Sequence, residues 1–548
     1  MKRISGFVAL FLLSGAAWAQ DNNYESLARL FSQTNPQGSA RMQALGGTHT
    51  ALGADVTTLS GNPAGLGFYT RSELSISPMF SQINNSSQYL GRTRDASANQ
   101  FTLGNLGIVL AGDKRNPVRS SRWVGGAFGA SYSRQNILKS SIQFGGRNTF
   151  SSMSDYFAEY ANNEARASAQ GVTAFDFKKD LVANGSVFDY PTSMYYYGKL
   201  IDPNSPTGPE YSGTEQGKAT NQAFAFNSSG YTSQWNFAYG ANYMNKLYIG
   251  FGFALARMNY TTSKVMTENY ENPGGVSGFT YNNDLTTSGK GFNLSAGAIY
   301  RPNDMVRIGL SITTPTWYTI NESAGQGLQT RLARRIEVSD YSNPEYDAGL
   351  PGALRSAGFG ITTASGVNYI TSIPQLSILP FDSQYNLRTP MKVAGGLGLF
   401  FGKIGFISLD AELINYSNMK FSSNDQNADG GLSDGYYTGI VRNTYRNVAN
   451  FKLGGEVRAD QVSFRAGVSY YQDPYKQTSQ FSSLDRSRWI YSGGIGYKTD
   501  KFYADAAVLY GVQTAAYSPY ILSNSNDYAS AKIKNTTTTG VLTVGVYF

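Results

Sequence analysis

The sequence predicts an all-β fold: a 14-stranded antiparallel transmembrane β-barrel with an N-terminal hatch (plug) inside its lumen. Three observations predict it. Apolar and polar residues alternate with period two in segment after segment. Only 15% of the 548 residues are charged, against about 25% in soluble domains. The connections between alternating segments are short and long by turns, as in bacterial barrels, whose periplasmic turns are short and extracellular loops long. No segment after residue 19 is an unbroken apolar run long enough for a helix to cross a bilayer, so a membrane-spanning chain must satisfy its backbone in a closed barrel.

The chain opens on Lys2 and Arg3, the apolar run Phe7 to Leu13, and Ala17-Trp18-Ala19 before Gln20. This pattern predicts a cleavable signal peptide over residues 1–19. Its removal leaves 43 Lys+Arg against 37 Asp+Glu. That excess forms no basic runs and carries no nucleic-acid signal. Cysteine is absent, which excludes a disulfide scaffold.

Residues 20–70 precede the first strand, do not alternate, and are expected to form the hatch. Tyr24 to Ser32 reads as a short helix with Leu27, Leu30 and Phe31 apolar. The stretches Gly38 to Gly47 and Gly61 to Leu66 imply tight turns. About 50 residues suit the interior of a barrel this size.

Residues 71–548 are expected to form the barrel, with strands near 72–82, 99–111, 121–134, 230–244, 246–260, 285–300, 304–318, 386–401, 403–416, 442–458, 461–473, 487–498, 501–512 and 537–548. In the fourth, Trp235, Phe237 and Tyr239 share one face, with Gln234, Asn236 and Asn242 on the other. Ile137 to Phe144 would break the even count as a strand of its own, and reads as an extension of strand three. The final strand places Leu542, Val544, Val546 and the C-terminal Phe548 on one face. Inward faces carry Arg307, Asp410, Glu412, Lys452, Glu456, Arg465 and Asp505. Both signs together suit an interior that grips an inserted segment; a polar, water-filled porin lumen is the plainer alternative.

Catalysis is not expected. His49 is the single histidine, and no base–nucleophile constellation surrounds it. Asp410 and Glu412 share a strand face and read as lumen wall. No metal site or cofactor is expected. The predicted loops 135–229, 319–385 and 418–441 carry unexpected apolar clusters. One is the run Ile373 to Phe381, with Leu376, Ile378, Leu379 and Phe381. Another holds Phe224 and Phe226. A third lies on a predicted helix from Met153 to Ala161, with Tyr156, Phe157 and Tyr160. Such surface folds inward or meets a partner. It reads either as a groove for a hydrophobic ligand or as packing over the barrel mouth.

The run from Ser39-Ala40-Arg41 to Gly46-Gly47, with Ala54-Asp55 and Asn62-Pro63-Ala64-Gly65-Leu66, resembles the N-terminal hatch of the FadL/TodX family. Further likeness runs through Gly289 to Asn293, Thr313 to Tyr318 and Leu387 to Pro390, and the sequence looks most similar to Bacteroidetes members. The resemblance implies an outer-membrane transporter of long-chain fatty acids or other hydrophobic compounds, working passively, with Asn62, Pro63, Ala64 and Gly65 as the hatch motif. It also implies lateral release through a kink in strand three, where Gly125, Gly126 and Gly129 would permit a bend. Implied partners are outer-membrane lipids and lipopolysaccharide, a hydrophobic small molecule, and the barrel-assembly machinery through Phe548; the expected state is a monomer. The alternatives are a FadL-like shuttle in protein secretion and a general porin.

Overall fold

Backbone pairing closes fourteen antiparallel strands into a ring in the computed structural model. It describes residues 24–112, 122–167, 177–204, 210–338, 349–425, 430–476 and 484–548; the predicted signal peptide lies outside the described residues. The strands are β1 (Glu73–Tyr89), β2 (Arg92–Ala111), β3 (Trp123–Ile137, continued by Ser140–Asn148), β4 (Thr220–Tyr243), β5 (Leu247–Tyr270) and β6 (Val276–Tyr300). There follow β7 (Val306–Thr313 and Trp317–Leu332), β8 (Phe381–Arg388 and Lys392–Phe401), β9 (Gly405–Asn415 and Lys420–Ser422), β10 (Asn447–Ala459), β11 (Val462–Tyr471), β12 (Arg488–Lys498), β13 (Phe502–Tyr517) and β14 (Ala531–Tyr547). β14 returns to β1, with Glu73 opposite Tyr547 and Gln88 opposite Lys532.

Two of the divided strands break for a visible reason. Pro315 interrupts β7 and Pro390 interrupts β8, and proline offers no N–H to a ladder. The breaks sit side by side, where Thr389 Oγ1 accepts from Thr316 N at 2.8 Å and Thr389 N donates to Thr316 O at 3.0 Å. The candidate extra strand near Ile137 to Phe144 is the second half of β3, as Ser140–Asn148 pairs along β4.

The outward face carries a continuous apolar belt, including Phe80, Trp235, Phe251, Leu310, Leu409 and Leu542, all exposed. In water that surface would be untenable; facing hydrocarbon it is the required one. The molecule is therefore an outer-membrane-type β-barrel. At one end the connections are tight: Met244 and Asn245 take positive φ of 57° and 55° between β4 and β5, in a turn closed by Lys246 N donating to Tyr243 O at 3.1 Å. That end is periplasmic by the loop rule.

Several strands run well past their expected upper ends. β5 reaches Tyr270 rather than 260, β6 begins at Val276 rather than 285, and β4 begins at Thr220 rather than 230. Above the belt their outward residues become polar (Arg257, Asn259, Thr261) while the ladder continues, Thr280 opposite Thr267. Apolar alternation marks where lipid ends, not where pairing ends.

The extracellular mouth holds helices α3 (Met153–Ala167), α4 (Phe177–Asn184), α5 (Pro191–Tyr197), α6 (Leu350–Ser356), α7 (Gly430–Ser433) and α8 (Tyr436–Thr444). Residues 24–70 lie inside the ring and reach strands on every side. They begin with α-helices at Tyr24–Ser32 and Ala40–Ala44 and end in 3-10 turns at Val56–Leu59 and Pro63–Phe68.

Candidate functional site: the lumen

Three turns of the N-terminal segment are capped by the segment's own side chains. Ser39 Oγ accepts from Met42 N at 3.2 Å and donates to Asp55 Oδ2 at 2.8 Å. Asp55 Oδ1 accepts from Thr57 N at 2.9 Å. Asn62 Oδ1 accepts from Ala64 N at 3.1 Å, and Pro63 takes the first helical position, where its missing N–H costs nothing. The other half of Asn62 ties the segment to the wall: its Nδ2 donates to Thr50 O at 2.7 Å and to Leu310 O, in β7, at 3.3 Å. Asn62→Ala removes the cap and the tether together. Its expected cost is about 1–3 kcal/mol, read as a lower denaturation midpoint in detergent micelles, with Asn62→Asp keeping the cap and losing the tether.

The wall meets this segment with glycine. A Cβ on Gly250 would lie 2.3 Å from Pro63 C, one on Gly309 2.0 Å from Thr50 O, and one on Gly467 2.3 Å from Gly46 N. Gly297, Gly396 and Gly454 make similar approaches to Asn62, Thr50 and Leu45. All six face inward at one height, and their missing side chains let the segment's backbone lie against the sheet.

Charge supplies the remaining grip. Asp410 Oδ2 accepts from both His49 N and Thr50 N at 2.9 Å. Glu456 accepts from Arg41 Nε at 3.0 Å, Arg465 Nε at 2.8 Å and Arg458 Nε at 2.7 Å. Arg465 also reaches Asp505, and Lys452 Nζ donates to Glu412 Oε2 at 3.1 Å. Arg307 lies between the rings of Phe68 and Phe400, 4.4 and 4.0 Å from their centroids. Glu412, Lys452, Glu456, Arg465 and Asp505 are thus ion-paired, while Asp410 is held by backbone N–H groups and Arg307 by aromatic faces.

Above the network the lumen is apolar in two layers. The lower one surrounds the first helix: Leu27, Ala28 and Phe31 pack with Tyr260, Ile320, Tyr385, Leu387 and Ile414. Tyr24 and Tyr385 both donate to Glu322, at 3.1 Å each. The upper layer closes the mouth, and most of the sequence-predicted groove residues are found there. Phe157, Phe224, Phe226 and Leu376 are buried in it, with Tyr160 and Ile378 packed against its edge. Phe157 stacks on Tyr195 at 4.0 Å and Phe224 on Phe144 at 4.8 Å. Leu379 is exposed, and Phe381 starts β8 opposite Ala324. Phe224 and Phe226 stand on the inward face of β4, not in a loop; the outward residues beside them, Asn221, Ala223, Ala225 and Asn227, carry none of the large apolar side chains that mark a lipid-facing strand. Between the layers Lys264 Nζ sits 5.9 Å from the Phe226 ring and 5.5 Å from that of Tyr517.

Among the described residues the ring has one long seam without backbone pairing, bridged by side chains such as Asn85, which donates to Ser141 O at 2.7 Å, and Arg134, which donates to Thr102 Oγ1 at 2.9 Å. β2 and β3 pair only from Asn105 opposite Ser133 to Ala111 opposite Ala127. Above this, Arg92 to Leu103 pair with β1 alone, while β3 shifts register between Arg134 and Asn136 and turns toward β4. Below the departure β3 has a first register shift, between Trp123 and Gly125, after which Gly126 and Gly129 pair regularly with β4. Gly129 lies against Leu59, where a Cβ would meet its side chain at 2.8 Å. The departure from β2 lies farther up the strand, at Arg134 to Lys139. Behind it, Asn136 Nδ2 donates to Gln33 O at 2.9 Å and to Thr232 Oγ1 at 3.0 Å.

No protein-family model matches the sequence, and no curated protein matches it. Solved structures do match in fold. A Pseudomonas aeruginosa FadL homologue aligns with a TM-score of 0.51 at 13% identity, covering 94% of this chain and 99% of that one. The P. putida toluene transporter TodX aligns with a TM-score of 0.51 at 12% identity over the same shares. At these identities the likeness is one of fold.

Proposed function

We propose that the protein carries long-chain fatty acids or similar hydrophobic molecules passively across the outer membrane. In this reading residues 24–70 act as the hatch, and release is lateral, through the β2–β3 seam. The observation that carries the reading is the apolar interior. A water-filled porin has a polar lumen, whereas here most side chains between the mouth and the first helix are aromatic or aliphatic, with Lys264, Glu268 and Glu322 buried among them. A hydrocarbon entering that column leaves water with a gain of roughly 0.8 kcal/mol per buried CH₂. The family resemblance and the shared fold agree with this cargo. In this reading a shift of the Gln33-to-Asn35 stretch, which meets Asn136 behind the seam, opens the path.

Lys264 favours an anionic head over a wholly neutral cargo. Its ammonium group lies beside two neighbouring aromatic rings at the boundary of the layers, where a carboxylate could rest with its chain in the apolar layer below. Binding of labelled palmitate to the purified barrel tests both parts. Ile320→Glu, which puts a charge in the lower layer, is expected to abolish saturable binding. Lys264→Met is expected to weaken palmitate about tenfold, the loss of one charge-assisted contact, and to leave toluene binding unchanged. Equal palmitate binding by wild type and Ile320→Glu would remove the lumen from the route.

A further inference from the structure

A second apolar site lies on the outside of the barrel, away from the lumen, centred on β12 to β14 and β1 and reaching Phe101 on the β2 edge of the seam. Outward residues of β12, β13 and β14 are small where they adjoin β1: Gly493 stands opposite Val508, and Val508 opposite Gly540. Gly540 in turn stands opposite Phe80, and Phe80 opposite Phe101 of β2. Small residues walled by Phe80, Phe101, Ile495 and Leu542 leave a recess of about 580 Å³.

The sheet is also interrupted there. β1–β14 pairing passes from Ile76 opposite Val544 directly to Met79 opposite Val541, skipping Ser77 and Pro78. On the other side Ser77 faces Asn105 and Pro78 faces Leu103, so Gly104 is an extra residue in the ladder. The proline and the bulge dent the wall outward-in. On the inner side Ala40, Ala44, Ala507 and Val541 form a buried apolar cluster with Met79 against it, so the recess has a solid floor.

We infer that this recess binds one acyl chain of a bilayer phospholipid. No side chain lining it is charged or carries a hydroxyl, so water would find no side-chain partners in it. Left empty it would forfeit the dispersion contacts of its whole lining. Its volume falls within the ~300–1,000 Å³ of ordinary ligand pockets. Its height selects the occupant: from Phe502 to Val508 a strand at ~3.3 Å per residue, tilted ~40°, climbs roughly 15 Å, just past the middle of a ~25 Å apolar band. Phospholipid tails from the periplasmic leaflet end at that depth. A chain seated there covers the gap in the β1–β14 ladder.

The test uses the full mature barrel in nanodiscs of phosphatidylethanolamine and phosphatidylglycerol carrying a diazirine near the end of one acyl chain. Photo-adducts are mapped by peptide mass spectrometry. Peptides holding residues 78–80, 493–495, 506–508 and 540–542 are expected to be labelled roughly fivefold above the belt average, an excess that one or two additional buried CH₂ groups supply. Gly493→Leu with Gly540→Leu fills the recess. A Cβ at Gly540 meets nothing within 4 Å, and one at Gly493 meets only Arg465 O at 3.8 Å, so folding should survive, as heat-modifiable gel mobility will report. The excess should vanish in this variant and persist in Gly395→Leu, an outward site with equally open space. Uniform labelling of the wild-type belt, or an excess that survives filling, overturns the assignment.

Discussion

Replacing Gly250 by leucine is expected to prevent the N-terminal segment from seating, and with it the formation of a heat-resistant barrel. A Cβ at this position lies 2.3 Å from Pro63 C and 2.4 Å from Ala64 N. Backbone cannot swing aside as a flexible side chain does. The backbone in question is also pinned, since Asn62 caps the turn and binds Leu310 O. Over-packing in cores typically costs about 1–3 kcal/mol because neighbours adjust; here the adjustment is blocked and the cost should exceed that range. Heat-modifiable gel mobility and limited proteolysis give the readout. The variant should either fail to shift mobility or release residues 24–70 to protease, while Gly395→Leu behaves as wild type.

Glu456→Ala is the second large effect. Three guanidinium groups converge on this carboxylate: Arg41 from the N-terminal segment, Arg458 from the same strand and Arg465 from β11. The Glu456 side chain is 1% exposed and that of Arg465 6%. Removing the acid leaves buried cations without their main partner, a loss of about 3–5 kcal/mol. Glu456→Gln keeps the shape and hydrogen-bond acceptor and should cost less. Denaturant midpoints in micelles measure both. If Glu456→Ala and Arg41→Ala are equally mild, the carboxylate does not hold the segment.

Much of the barrel was legible because lipid writes on the sequence. Phe251, Phe253 and Leu255 alternate with small residues only because their side chains meet hydrocarbon, and such alternation located all fourteen strands. The same physics hid the upper halves. Once Asn259 and Thr261 face water, strand and loop look alike in composition, so Phe224 and Phe226 read as a loop cluster although they stand on β4. β3 shifts register twice: between Trp123 and Gly125, beside the glycines that suggest a bend, and between Arg134 and Asn136, where ordinary polar residues give no local signal.

The inward glycines were the most informative feature left unread. Gly250, Gly297, Gly309, Gly396, Gly454 and Gly467 fall on the polar, inward phase of six strands. A glycine recurring there, strand after strand, is the mark of a backbone packed inside the ring. The outward glycines 493 and 540, on the opposite phase, mark the recess instead. Sorting glycines by face separates the two, which a total of 60 does not.

One measurement bears most directly on the whole account: ion conductance and fatty-acid uptake recorded on the same proteoliposome preparation. An apolar column closed by residues 24–70 should pass no steady ionic current above the lipid background while labelled palmitate enters saturably. A stable ohmic conductance with uptake no faster than protein-free vesicles would contradict it.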